Sequence, residues 1–273
     1  MNKLSVIITT YNKPEYLSKV LLGFSIQTNR NFEIVIADDG SRDDTRELID
    51  WYRQNTALEI QHVWHEDRGF QKCAILNKAI VASSTDYLLF TDDDCVPRND
   101  FVDVHLKNAS PGYFLSGGYF KLSKTVTDQV VGEDILNQNI FNIKWLVNNG
   151  QPKTFKLSKL SRNSLYVSIL NRITPTKATW NGHNVSGFKE DIIQVNGYNE
   201  EMNYGGLDRE LGERLINKGI KGKQIRYKAI CVHLDHPRPY KKTDLMKQNR
   251  AIRDNVKKNC ITFTPNGIDK YIQ

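Results

Sequence analysis

The chain has 273 residues, 39% of them hydrophobic and 25% charged, which excludes a disordered polypeptide and suffices for one large domain or a domain with an appendage. A formal net charge of +7 admits nucleic acid, an anionic membrane or phosphorylated substrates as partners, and by itself selects none. No apolar run approaches the roughly 20 residues that span a bilayer, so any membrane contact is expected to be peripheral. Cys73, Cys95, Cys231 and Cys260 have no CxxC spacing and read as reduced thiols of a cytoplasmic protein, and the opening residues lack the pattern of a secretory leader.

Leu4-Ser5-Val6-Ile7-Ile8-Thr9-Thr10 is the β-branched run of a central parallel strand, and the polar turn Tyr11-Asn12-Lys13-Pro14 leads into a helix to about Gln27. A second strand at 32–37 closes on Asp38-Asp39-Gly40-Ser41, and a helix through Trp51 follows, with Asp43 or Asp44 near its start. A third strand fits 58–64. After the loop His65-Glu66-Asp67-Arg68-Gly69-Phe70, a helix carrying Lys72, Asn77 and Lys78 precedes a fourth strand at 87–90. This alternation predicts an α/β fold with an open, mostly parallel sheet flanked by helices, whose ligands lie beyond the carboxyl ends of the strands. The polar clusters sit at those ends. Neither GxGxxG nor GxxxxGK[ST] occurs, so a dinucleotide-binding or P-loop reading lacks support.

The fourth strand stops at Asp92-Asp93-Asp94. Three adjacent carboxylates repel one another and suit a hard divalent cation, although a solvated acidic turn fits the same three residues. Beyond them the pattern loosens. A strand pair is expected at 113–122 around Ser116-Gly117-Gly118, a helix across 128–149 with Trp145 as a packing aromatic, and a mobile or substrate-facing loop at 150–177. Small and polar residues in Thr179-Trp180-Asn181-Gly182-His183-Asn184 suggest a backbone packed closely on a ligand. Tyr204-Gly205-Gly206 leads into a helix with Asp208 in its first turn, where an acid also serves simply as a cap. A strand at 223–232 ends in His233-Leu234-Asp235-His236, and these imidazoles either close the metal site or are structural. The basic stretch 238–258 reads as a helix with Leu245, Met246, Ile252 and Val256 as its apolar positions. It is expected to pack on the domain, with anionic lipid as a second contact and without nucleic acid.

Taken in order, these segments resemble the inverting family 2 glycosyltransferases with the GT-A fold, over most of residues 3–236. The amino-terminal likeness rests on Val6-Ile7-Ile8-Thr9-Thr10-Tyr11-Asn12, Asp38-Asp39-Gly40-Ser41 and Asp92-Asp93-Asp94. The carboxyl-terminal likeness rests on Gly182-His183-Asn184-Val185-Ser186, Asn196-Gly197-Tyr198 and Tyr204-Gly205-Gly206-Leu207-Asp208, and is similar to the galactosyltransferase-type acceptor region of chondroitin-polymerase and β-1,4-galactosyltransferase modules. The resemblance implies a nucleotide-sugar-binding half at 1–98, an acceptor-binding and catalytic half at 99–236, and a basic helical tail at 237–273. It implies that Thr10, Tyr11, Asn12 and Asp39 surround the base and ribose, that Asp67 and Lys72 border that pocket, and that Asp92 and Asp93 belong to the nucleotide-sugar site. Asp94, His236 and His233 would bind Mn²⁺ or Mg²⁺, and Asp208 would be the catalytic base. Trp180, Asn184, Gly205, Gly206 and Leu207 would face the acceptor.

The implied reaction is inverting transfer from a UDP-hexose or UDP-N-acetylhexosamine to a glycan or lipid-linked glycan, in surface polysaccharide or lipopolysaccharide synthesis. The implied location is cytoplasmic, with peripheral contact at the inner face of the membrane as an option. Where the family commonly has Glu-Asp this chain has Leu207-Asp208, and the leucine is expected to offer apolar surface to a sugar face. Two other readings stay open. One is a nonenzymatic nucleotide-sugar or glycan-binding module, which Leu207 favours, and the other is a nucleotidyltransferase using a carboxylate-bound cation.

Overall fold

The computed structural model describes residues 3–237 and 243–272, so Arg238 to Lys242 of the expected basic helix lie outside the described residues. Strands β1 (Leu4–Thr10), β2 (Phe32–Asp38), β3 (Ile60–Trp64) and β4 (Tyr87–Asp92) run parallel, joined by helices α1 (Pro14–Ser25), α2 (Asp43–Asn55) and α3 (Lys72–Ala82). Every residue of β1 and β2 is buried, as continuous apolar runs require when helices cover both faces of a parallel sheet. Strand periodicity divides the core. Val6, Ile8, Ile34 and Ile36 pack with Leu17, Val20 and Phe24 of α1, while Ile7, Val35 and Ala37 pack with Ile75, Leu76 and Ala79 of α3. The register sets Thr9 beside Asp92 and Thr10 beside Asp38, so all the polar strand ends share one rim.

Beyond β4 the chain contributes β5 (Cys95–Pro97), α4 (Phe101–Asn108), β6 (Tyr113–Ser116) and β7 (Gly118–Lys121). The short helices α5 (Lys124–Gln129), α6 (Gly132–Leu136) and α7 (Ile143–Asn148) and the longer α8 (Ser164–Ile173) follow. It continues through β8 (Val185–Phe188), α9 (Lys189–Gln194), α10 (Leu207–Asn217), β9 (Lys221–Gln224), β10 (Ile230–His233) and α11 (Thr243–Lys258). The larger sheet has the order β3-β2-β1-β4-β8-β6-β9, with β8 antiparallel to both neighbours, and a second sheet has the order β5-β10-β7. The expected mostly parallel α/β sheet is therefore present, and the second sheet is an addition to it.

Four local expectations are corrected. The strands at 113–122 are not paired with each other, because β6 enters the large sheet and β7 the small one. The span 223–232 likewise divides into β9 and β10 on different sheets. The helix expected across 128–149 is broken into pieces, with Gln138 left-handed at φ 58° and the Asn142 side chain capping α7 through the Lys144 and Trp145 amides. The span 150–177 is not a plain loop, since it holds a 3₁₀ turn at Phe155–Leu160 and α8, anchored by buried Leu157, Leu160, Val167 and Leu170.

One side chain joins the two sheets. The fully buried Asn184 carboxamide donates to the Gly118 carbonyl at 2.7 Å and the Ala229 carbonyl at 3.0 Å, while its oxygen lies 3.0 Å from His105 Nε2. Gly117 makes this approach possible, because a Cβ there would fall 2.0 Å from Asn184 Oδ1. Among the described residues no helix is long and apolar enough to cross a membrane.

Candidate active site

The acidic run at the end of β4 is held from below by β1. Thr9 donates to Asp92 at 2.8 Å and Thr10 to Asp93 at 2.9 Å, both through Oγ1. Lys72, in the first turn of α3, reaches Asp92 at 2.7 Å, and Lys13 stands 3.9 Å from Asp93 and 3.8 Å from Asp94. The antiparallel register of β10 on β5 sets His233 opposite Cys95, which carries the imidazole to within 3.6 Å of Asp94 Oδ1. His236 Nε2 lies 2.7 Å from the other oxygen, Oδ2, and its Nδ1 lies 2.7 Å from the Pro237 carbonyl. The two imidazoles stack with centroids 5.5 Å apart. Groups more than a hundred residues apart in sequence thus converge on one carboxylate.

The charges follow from this packing. Burial would raise Asp94, but the His236 hydrogen bond and His233 outweigh it and hold the carboxyl well below its usual range. Burial and the adjacent Asp94 push Asp93 up to about 7. Burial would raise Asp92 and lower Lys72, yet their mutual attraction leaves Asp92 below and Lys72 above their ordinary values. One carboxylate between two imidazoles is a donor set that suits Mn²⁺. The Cys95 thiol also lies within 4.8 Å of the Asp94 and His233 ligand atoms, but burial pushes it well above its ordinary value and it donates to Asp94 Oδ1 at 3.3 Å, so it is a poor ligand for a hard ion. His236 is the better third donor.

Asp208 is the second residue of α10, one position beyond the pair Gly205 and Gly206, whose φ values of 104° and 89° place both in the left-handed region. Its Oδ1 is enclosed without a hydrogen-bond partner among the described residues, although the residue as a whole is half-buried. It shares a small cavity with Lys72, Asp92, Gly182 and Tyr198. Burial, reinforced by Asp92 and opposed by Lys72, pushes it up to about 6. The N-cap position of α10 is Gly206 and no side chain caps the helix, while Asp208 has an amide contact with Gly182 on a different segment. A half-reachable carboxylate poised near neutrality can instead accept a proton from a bound molecule.

On the other side of the rim, Tyr11 donates to Asp67 at 2.8 Å, and Asp39 accepts from the Gln71 amide at 3.1 Å while facing His65 at 2.8 Å. The Asn12 side chain accepts from the Arg42 amide at 3.0 Å. A Cβ on Gly40 would lie 2.6 Å from the Asp67 backbone, so the strand ends close tightly here. Thr10, Tyr11, Asn12, Asp39, Asp67 and Lys72 therefore share one rim with the aspartates.

The profile of glycosyl transferase family 2 matches residues 5–154, and that of the N-terminal domain of galactosyltransferase matches 172–237. The chain belongs to glycosyl transferase family 2. Over 267 residues, 88% of this chain, it is 28% identical to a chondroitin synthase of Pasteurella multocida, and it spans only 26% of that protein's length. Among solved structures, the mannosyltransferase PcManGT of Pyrobaculum calidifontis, in complex with GDP-Man and Mn²⁺, aligns with a TM-score of 0.59 at 19% identity, covering 87% of this chain and 58% of that one. Staphylococcus aureus TarS 1-349, in complex with UDP-GlcNAc, aligns with a TM-score of 0.60 at 14% identity, covering 99% and 76%. At these identities the likeness shows a shared GT-A fold.

Within this glycosyltransferase, three of the residues expected at the acceptor are buried in the frame. Trp180 packs against Phe90 and Phe114 and donates to the Tyr198 hydroxyl at 3.1 Å. Asn184 ties the two sheets together. Leu207 is 4% exposed and lies in the core with Leu211 and Leu215, so it offers no surface to a sugar face. Of that group, Gly205 and Gly206 remain partly exposed. Three further residues stand near the site without a role assigned from sequence. Lys13 follows β1 beside the aspartates. Half-buried His183, lowered to about 4 chiefly by desolvation, has its ring 4.7 Å from that of Tyr119. Asn249 of α11 donates to the carbonyls of Asn203 at 2.8 Å, Tyr204 at 3.2 Å and Gly205 at 2.7 Å. Position alone, after a strand or beside a glycine run, signalled Lys13 and His183. Nothing local signalled Asn249.

Proposed function

We propose that this glycosyltransferase is a metal-dependent inverting enzyme that moves a hexose or N-acetylhexosamine from a UDP-linked donor to a hydroxyl of a glycan or lipid-linked glycan, in surface polysaccharide or lipopolysaccharide assembly at the cytoplasmic face of the membrane. The observation that carries this reading is the convergence of Asp94, His233 and His236 beside the rim that holds Lys72, Asp92 and Asp208. The Mn²⁺ and GDP-Man of the mannosyltransferase structure and the UDP-GlcNAc of TarS support the choice of cation and donor class.

Asp94, His233 and His236 would hold the cation, which as a Lewis acid offsets the charge that grows on a departing diphosphate. Thr10, Tyr11, Asn12, Asp39 and Asp67 form the nucleotide side, with Asp92 turned to the ribose or donor sugar and Asp93 supporting it. Lys13 and Lys72 add positive charge next to the phosphates. Asp208 takes the proton of the acceptor hydroxyl as its oxygen bonds to the anomeric carbon, the bond to the diphosphate oxygen breaks, and a single displacement inverts the centre. Residues 1–98 thus serve the donor and 99–236 the acceptor, with Gly205 and Gly206 giving the acceptor a close approach to backbone.

The test is a titration of UDP with and without Mn²⁺, followed by a screen of sugar nucleotides for hydrolysis and transfer. Mn²⁺ should tighten UDP binding, Asp94→Ala should abolish that gain, and EDTA should stop turnover until Mn²⁺ is restored. Binding without turnover of any donor would leave a glycan-binding module as the better reading. Pyrophosphate release from a nucleoside triphosphate would point to nucleotidyl transfer.

A further inference from the structure

Helix α8 is apolar on two sides. Val167 and Leu170 face inward, and Tyr227 packs on them. Leu165, Ile169 and Ile173, one turn apart along the opposite side, are 71%, 48% and 65% exposed, and Phe155 in the preceding 3₁₀ turn is 76% exposed. A surface helix of a globular protein normally turns polar residues outward, and a contiguous apolar stripe there marks an interaction site.

The charge around the stripe says what it meets. Between Gln151 and Lys177 the chain has six cations, Lys153, Lys156, Lys159, Arg162, Arg172 and Lys177, and no aspartate or glutamate. Five are exposed, Lys159 is half-buried, and none forms an ion pair among the described residues. A protein partner would be expected to find some carboxylates to pair with its own lysines and arginines, whereas an anionic lipid surface asks for outward apolar side chains within an unbroken cationic rim.

We propose that α8 and the 3₁₀ turn before it form a docking face for an anionic bilayer, with Phe155, Leu165, Ile169 and Ile173 entering the headgroup boundary and the flanking cations meeting lipid phosphates. This assigns membrane contact to a segment distinct from the basic carboxyl-terminal helix. The face adjoins the active site: Lys159 donates to the Tyr119 carbonyl at 3.1 Å and sits 5.3 Å over its ring, and Tyr119 packs on His183 and His233. Insofar as the transferase reading above holds, the arrangement selects a lipid-linked acceptor presented at the membrane.

The test is co-sedimentation of the full chain with phosphatidylcholine vesicles, with and without phosphatidylglycerol, in the absence of donor and acceptor. Binding should require the anionic lipid, weaken as salt rises above about 0.15 M, and fall on the order of tenfold in Ile169→Glu/Ile173→Glu at unchanged melting temperature. Lys156→Ala/Arg162→Ala should weaken it as well, by a smaller factor. Failure of the wild-type chain to bind would overturn the proposal. So would undiminished binding of the glutamate variant with loss on replacing Lys247 and Lys257, or a dimer by light scattering that the glutamate variant dissociates. Because the readout uses no sugar nucleotide, it stands or falls independently of the donor chemistry.

Discussion

The four amino-terminal strands and the six that follow reach the same cleft by different means. In β1 to β4, parallel runs buried on both faces end together, so the topology alone delivers Thr9, Thr10, Asp38 and Asp92 to one rim. In β5 to β10 the strands have three or four residues each and belong to two sheets, and single side chains fix where backbone goes. Asn184 joins the sheets, Asn249 gathers three carbonyls of the loop before Asp208, and fully buried Arg214 pairs with Glu210 at 2.8 Å while holding the Val195 and Gly197 carbonyls. The β1–β4 side of the cleft is therefore specified redundantly by many apolar contacts, and the β5–β10 side by a few polar ones that cannot be substituted without leaving buried partners unsatisfied.

That contrast can be broken most severely at Asp208. Asp208→Asn should lower transfer on the order of 10²–10⁴-fold while leaving UDP affinity within a factor of about two, as read by initial rates and calorimetry. Its effect on stability should run the other way. The folded-state value of about 6 lies above the ordinary 3.8, so ionisation of Asp208 opposes folding progressively from pH ~4 to ~6 and fully above that. The asparagine variant should accordingly melt higher at pH 7 than wild type, with the advantage shrinking towards pH 4.

Asn184→Ala comes next, and it tests the frame, not the chemistry. Removing the carboxamide strands the Gly118 and Ala229 carbonyls, and a loss of about 3 kcal/mol is expected in denaturant unfolding. Asn249→Ala sharpens the comparison from the β5–β10 side. Released carbonyls at 203–205 should cost roughly tenfold in kcat/KM for the acceptor, while donor hydrolysis stays near its wild-type rate. Equal losses in both would place Asn249 in general stability instead. The smallest effect is in the pH profile. In the proposed mechanism transfer needs the carboxylate form of Asp208, so kcat/KM for the acceptor should fall to half near pH 6 and keep falling below it, provided UDP stays bound.

The same contrast explains what could be read in the sequence. β1 to β4, their helices and the carboxylates at their ends are encoded locally, by apolar runs that stop at charge, and the structure places them where the runs predict. The likeness of His236 to a family metal ligand, with His233 as a possible companion, pointed to the place beside Asp94 where both imidazoles lie, although no local pattern joins residues 94 and 236. Elsewhere local pattern fails for identifiable reasons. Ser116 and Gly118 belong to different sheets because β7 pairs with β10, more than a hundred residues away, a choice that β7's own four residues do not encode. Trp180 and Leu207 were expected at the acceptor because their segments resemble the galactosyltransferase-type acceptor region. Both instead fill volume behind the cleft: a Cβ on Gly212 would come within 2.6 Å of the Trp180 Cβ, so α10 packs closely against the chain at Trp180.

The step from one sheet to the other at residue 117 carries a consequence for how tolerance to mutation would be distributed. Even alanine at that position would collide with the amide that couples the layers, since its methyl would have to occupy the place of the Asn184 oxygen. A saturation screen scored on product formation would thus rank this hydrogen-only side chain among the least replaceable in the protein, next to the proposed base Asp208, for want of room and not for any part in bond making.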